Sequence, residues 1–212
     1  MSTGFSSDSL GFITLTNGNL TAKYTGKNDQ VPITVFENFV FKSGVHYSEF
    51  TIVNSVNPSK IMIGISDKAE LKQSNSYLSD SLYGWGFKGD GTISNNFISK
   101  NYSSGFQKGD VIGVLVNIST TKLEFFKNGI NLGTSYTGVT APFAFALTLF
   151  SNSDEVSYKS GLPLPKMINS FLNNPSLTMS KNNLLIKKNQ FQQTGAETFF
   201  TTETLNTGVH YL

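Results

Sequence analysis

A chain of 212 residues is long enough for one well-buried domain with an extension. Its net charge of +2 is too small to drive an electrostatic partner, and the absence of cysteine excludes disulfides, thiolate metal sites and cysteine nucleophiles. All sixteen basic residues are lysine, so the bidentate guanidinium forks that read bases, phosphates and phosphopeptides are missing.

Residues 1–10 are Ser-rich without the apolar stretch of a secretory signal, and are expected to form a flexible tail. No run approaches membrane-spanning length, so a cytoplasmic chain, or else a nuclear one, is expected. From Gly11 onward strand follows strand. Residues 12–24 read as a ribbon turning at Asn17-Gly18, 25–30 as a polar loop and 31–41 as extended chain. Within 46–53, Phe50 and Ile52 alternate with Glu49 and Thr51, giving one dry face and one wet face. Residues 60–66 set Ile61, Ile63 and Ile65 against Met62 and Gly64. A long polar loop, 67–82, leads to the extended aromatic stripe Tyr83, Trp85, Phe87.

Residues 111–118 are apolar on both faces, which belongs in the middle of a sandwich. Asn128-Gly129, between 122–127 and 130–136, is the strongest hairpin signal in the chain. Phe143, Phe145, Leu147 and Leu149 share one face of the next strand, and small Ala144 and Ala146 share the other. Residues 154–159 close the unit at Gly161. No helical period survives across 12–161, so the predicted fold is all-β, a two-layer antiparallel β-sandwich over one aromatic core. In 162–176, Met167, Ile168, Phe171 and Leu172 have helical spacing between Pro165 and Asn173-Asn174-Pro175. That segment is predicted to be a linker with a short helix.

The chain also starts over. Residues 13–47 and 177–211 align without a gap at an offset of 164, with ten identities that end in Gly44-Val45-His46-Tyr47 and Gly208-Val209-His210-Tyr211. A period this long is a whole domain. The expected organisation is one complete unit over 11–161 and a partial second copy over 177–212. Alone the second copy cannot close a sandwich. It is either a piece of a tandem array or a source of self-association, its strands adding to the first unit in cis or by exchange.

No catalytic constellation emerges. His46 has neither a nucleophile nor an orienting acid at readable spacing. Asp154 and Glu155 are adjacent on a strand, so they face opposite ways and cannot share a substrate; the pair reads as a solvated strand start. Gly84-Trp85-Gly86-Phe87-Lys88-Gly89 fits a dinucleotide fingerprint in letters, but Asp90-Gly91 follows where a helix is needed. Trp85 alternates with Tyr83 and Phe87 and is expected in the core. No metal site, cofactor, nucleic acid or membrane is implied.

Several segments, in order, resemble the SPRY domain family. Ser43-Gly-Val-His-Tyr47 with Glu49-Phe-Thr-Ile52 resembles its opening motif, and Ile63-Gly-Ile65 a following strand. Ser81-Leu-Tyr-Gly-Trp85, Lys108-Gly-Asp-Val-Ile-Gly113, Phe125-Phe-Lys-Asn-Gly129 with Leu132-Gly133, and Pro142-Phe-Ala-Phe145 continue the series. The resemblance covers residues 12–161 and implies a curved, concanavalin-like sandwich, not an enzyme, that binds a peptide segment of a partner protein at its loop edge. It further implies that loops 25–30, 67–82 and 150–153 converge there. The candidate peptide-binding residues are Lys27, Asn28, Gln30, Tyr77, Phe150, Ser151 and Asn152. The first loop departs from the peptide-binding members of the family in having no arginine. A lectin-like carbohydrate-binding sandwich is the alternative function.

Overall fold

A computed structural model describes residues 4–7, 11–26, 31–67, 76–165, 177–180 and 185–188. Within the first unit, Met1–Leu164, two antiparallel sheets enclose one core. The seven-stranded sheet runs β1 (Ile13–Thr16), β2 (Thr21–Tyr24), β13 (Glu155–Lys159), β4 (Val45–Asn54), β9 (Val111–Asn117), β10 (Lys122–Lys127) and β11 (Ile130–Tyr136). The six-stranded sheet runs β3 (Ile33–Phe36), β12 (Ala144–Leu149), β5 (Met62–Ser66), β6 (Gly84–Lys88), β7 (Thr92–Asn95) and β8 (Ile98–Asn101).

The period of two places the predicted apolar sets inside. Phe50 and Ile52 from β4, Ile63 and Ile65 from β5, and Phe145, Leu147 and Leu149 from β12 all fall in one buried cluster. Each such side chain contributes about 1.5–3 kcal/mol on burial. β9 lies between β4 and β10 and is buried on both faces as predicted. Its second face is covered by Tyr47 and Phe126, which pack with Leu115 and half-buried Leu162. The Asn128-Gly129 turn forms as predicted, with φ of 52° and 80°. Trp85 is half-buried against the core, whereas Tyr83 is 46% exposed and leaves the stripe.

The outer face of the six-stranded sheet is also partly covered. Phe36, Met62, Ala144 and Ala146 form a small cluster with Leu78. Small residues are required here because the chain at Leu78 lies against the sheet. A Cβ on Gly84 would strike the Leu78 carbonyl, and one on Gly86 would meet the Leu78 side chain and the Met62 sulfur. The glycines of the dinucleotide-like letters thus serve close packing.

One expectation is corrected by the N-terminal segment. Residues 4–7 are docked rather than loose: Phe5 pairs with Glu37, Phe5 N–H donates to Asn19 O (2.8 Å) and Ser6 N–H donates to Phe36 O (2.7 Å). The Phe5 ring is 1% exposed and sits 5.0 Å from Tyr158. A single apolar ring in a Ser-rich stretch gave no periodicity to read. The remaining residues of 1–10, the helix expected in 162–176 and most of 177–212 lie outside the described residues.

In the second unit, β14 (Leu177–Ser180) pairs with β15 (Leu185–Lys188). Leu177 faces Lys188 and Ser180 faces Leu185, the same register as Ile13 with Tyr24 and Thr16 with Thr21 under the offset of 164.

Glu37 is 2% exposed, accepts a hydrogen bond from the Tyr158 hydroxyl, and has no partner for Oε2. Burial pushes its carboxyl up from 4.5 to about 7, only partly offset by Tyr158. A carboxyl raised on folding favours the protonated native state, so its contribution is complete at acid pH and is lost as pH rises through about 7. The loss amounts to about 3 kcal/mol between pH 4.5 and 8. Urea unfolding across this range should show stability falling with pH, and Glu37→Gln should flatten the fall. An unchanged slope in the variant would remove Glu37 as its source.

Candidate functional site

Tyr77 and Phe150, distant in sequence, meet on the surface. Their rings are nearly parallel, 7° apart, with centroids at 6.1 Å. The Lys60 ammonium lies 5.1 Å from the Phe150 centroid, and that of Lys88 lies 5.1 Å from the Tyr77 centroid. Each ring therefore carries a cation over its face.

The placement of Tyr77 follows from two threonines on the outer sheet face. Thr34 of β3 and Thr148 of β12 face each other in the ladder, with hydroxyls 2.7 Å apart. Thr34 Oγ1 donates to Ser76 O (2.9 Å), and Leu78 N–H donates to Thr148 Oγ1 (3.1 Å). Tyr77 is thus fastened on both sides. Its own N–H donates to Asp80 Oδ2 (3.0 Å), closing a turn with Asp80 N–H to Tyr77 O (3.0 Å). Burial, followed by Asp80, Asp154 and Asp90, pushes the Tyr77 phenol up to about 12. At neutral pH it remains a hydrogen-bond donor.

Phe150 is the first residue beyond β12, and Asp154 fixes the turn that follows. The Asp154 side chain is fully buried. Its Oδ2 accepts from Ser151 N–H (2.8 Å) and Phe150 N–H (3.3 Å), and its Oδ1 accepts from Ser55 Oγ (2.7 Å). Asn54 Nδ2 donates to Ser153 O (3.1 Å) from the neighbouring strand. This corrects the reading of Asp154 as a solvated strand start. The tetrad Ser151-Asn152-Ser153-Asp154 is a carboxylate-closed turn, and that turn chemistry was the available signal. Glu155 points away to Lys23 (3.7 Å).

Of the predicted residues, Tyr77 and Phe150 come together at this surface. Asn152 is exposed on the same turn as Phe150, and Ser151 is buried beneath it with its N–H on Asp154. Lys27, Asn28 and Gln30 lie outside the described residues. The base of their loop is closed by the Tyr24 hydroxyl, which donates to Val31 O (3.1 Å). Sequence reasoning missed Lys60, at the end of a single helical turn Pro58–Lys60, and Lys88, the last residue of β6. Scattered lysines carry no local signal; only the fold brings these two to the rings.

His46 stacks on Phe41 at 4.1 Å, with Nε2 2.7 Å from Ser43 O, an arrangement that holds the loop before β4. Among the described residues, no group of three His, Asp or Glu side chains is placed to hold a metal.

Two stacked antiparallel sheets, with two aromatic rings and two lysines gathered at one surface, define a β-sandwich. The chain belongs to the SPRY domain family, which residues 45–160, more than half of its length, match. SPRY domains are in general non-catalytic protein-interaction modules. The SPRY domain of human HERC1 superposes with a TM-score of 0.64 at 16% identity, covering 76% of this chain and 99% of that one. The PSpry domain of TRIM65 gives 0.59 at 13% identity over 75% and 90% of the two chains. At such identities the likeness is one of fold. A stretch of 65 residues is 40% identical to the ATP-dependent RNA helicase Ddx1 of Drosophila melanogaster, spanning 31% of this chain and 9% of the helicase.

Removing the Asp154 carboxylate takes the acceptor from the N–H groups of Ser151 and Phe150 and from the Ser55 hydroxyl. Asp154→Ala should lower the unfolding free energy by roughly 2–4 kcal/mol, and Asp154→Asn by less. Urea unfolding at neutral pH measures both. A loss within experimental error for Asp154→Ala would show that the turn holds itself.

Proposed function

We propose that this chain is a non-catalytic module that captures a short peptide segment of a partner protein on the platform of Tyr77 and Phe150. The observation that carries the reading is the pair of parallel rings, each beneath a lysine ammonium. Such a surface offers apolar area with little conformational freedom to lose, because the Thr34–Thr148 pair and Asp154 already fix the backbone beneath both rings. Asn152 and the residues of the loop 27–30 are assigned to the peptide backbone as hydrogen-bonding partners. Ser151 supports the turn from below.

A peptide-library pull-down with the full chain tests this. Peptides recovered by the wild type should bind Tyr77→Ala and Phe150→Ala at least ~10-fold more weakly, the loss expected of an aromatic anchor. Both variants should unfold within about 1 kcal/mol of the wild type, since both rings are partly exposed. Equal recovery by all three proteins would dismiss the platform.

We further propose that 177–212 opens a second copy of the same domain. The shared register of β14–β15 and β1–β2 supports this. Exchange of the second hairpin for the first is disfavoured by sequence: Lys188 would replace Tyr24, which is fully buried, and Ile186 would replace buried Ala22. Masses in dilute solution should show monomers both for the full chain and for a chain ending at Gly161. A dimer formed only by the full chain would restore exchange.

A further inference from the structure

The hairpin of β7 and β8 turns through Asn96 and Phe97, with φ of 49° and 60°. Its length and backbone are those of the Asn128-Gly129 turn, where φ is 52° and 80°. Two-residue turns of this kind favour glycine at the second position because a Cβ there crowds the following carbonyl. Here that position carries phenylalanine, the one aromatic with positive φ among the described residues. The ring gains nothing from the core, since Phe97 is 74% exposed. Folding alone gives no reason to keep it.

The turn is held firmly. Asn96 N–H donates to Ser81 O and Phe97 N–H to Ser79 O, both 3.1 Å. Asn95 Nδ2 donates to Leu82 O (3.0 Å) and Gly84 O (2.8 Å). These bonds fasten the hairpin to the segment that carries Leu82 and Tyr83, 59% and 46% exposed, and Ile98 follows at 70%. The four side chains present roughly 400–500 Å² of mainly apolar surface, within the range of functional patches but below the ~800 Å² per partner of a stable interface. That area suits a peptide segment better than a second folded copy.

β8 itself is the last strand of its sheet, and all four of its residues are exposed. Tyr102 N–H donates inward to Gly91 O, so by alternation Ser99 and Asn101 direct their N–H and C=O groups outward. Among the described residues no strand pairs with that edge. Ile98 and Lys100 share one face of β8, an apolar residue followed two places later by a cation. Lys100, whose ammonium lies 5.3 Å from the Tyr136 ring centroid, keeps a charge at the edge that repels a basic strand and favours a carboxylate opposite.

We infer that this hairpin is a second protein-binding surface, separate from the Tyr77–Phe150 platform, at which an extended partner segment of alternating apolar and acidic residues adds to the β8 edge and packs against Phe97. Backbone pairing to Ser99 and Asn101 supplies affinity. Phe97, Ile98 and Lys100 supply selectivity.

Stability and binding should respond to Phe97 in opposite directions. Phe97→Gly converts the turn to the Asn-Gly form, so the full chain should melt about 2–4 °C higher than the wild type. A displayed library of short peptides alternating apolar and acidic residues is then selected on the full chain. Selected peptides should bind Phe97→Gly and Ser99→Pro at least ~10-fold more weakly and should bind Tyr77→Ala unchanged. Ser99→Pro removes one outward N–H without touching the inward ladder. A lower melting temperature for Phe97→Gly would make the ring a folding residue and overturn the inference. So would an empty selection, peptides indifferent to Phe97→Gly, or a concentration-dependent dimer abolished by that variant, which would assign the edge to a second copy.

Discussion

Every residue of β12 is buried, and its two faces are asked for opposite things. Inward, large side chains must fill the space between the sheets. Outward, Ala144, Ala146 and Thr148 must stay small so that the chain around Leu78 can lie on the sheet. That asymmetry connects fold to site. The same strand anchors the Tyr77 segment through Thr148 and delivers Phe150 at its end, so the distance between the two rings is set by a central strand and not by two independent loops. A larger side chain at Ala144 or Ala146 would lift the segment and separate the rings without necessarily unfolding the sandwich.

The polar groups buried at the surface layer work in the same direction. The Thr34–Thr148 pair, the Asp154 turn with Ser55, and the Asn95 amide bridging Ser81, Leu82 and Gly84 each fasten an irregular segment to a strand. Each is short-range in space, and the first two span 114 and 99 residues of sequence. Connections held this way recognise partners with little ordering to do on contact. Glu37 is the exception: its second oxygen is unpaired, and its burial makes the docked N-terminal segment a pH-sensitive part of the sandwich edge.

The layered fold was legible because a period of two leaves an unmistakable trace: Phe143, Phe145, Leu147 and Leu149 against Ala144 and Ala146 announced both a core face and a small-residue face. Asn128-Gly129 announced its hairpin for an equally local reason. Tyr77 and Phe150 were legible as aromatics in polar connections, but their meeting was not, since it depends on a threonine pair that is adjacent only across two strands. Lys60, Lys88 and the Ser55 partner of Asp154 likewise reach their places only across elements distant in sequence. Asn96-Phe97 hid for another reason: its turn breaks the rule by which such turns are found, and only the backbone angles reveal it.

The Tyr24 hydroxyl resting on the Val31 carbonyl closes a ring of chain whose two ends are fixed to the sandwich. Gly26 is confined beside the Tyr24 ring, where any Cβ would collide. The two clamps fix where residues 27–30 leave and rejoin the sandwich, whatever letters stand between them. Descendants of this sequence can therefore rewrite that stretch, in letters and in length, while inheriting the rest intact, which makes it a natural place for relatives to diverge in the partners they choose.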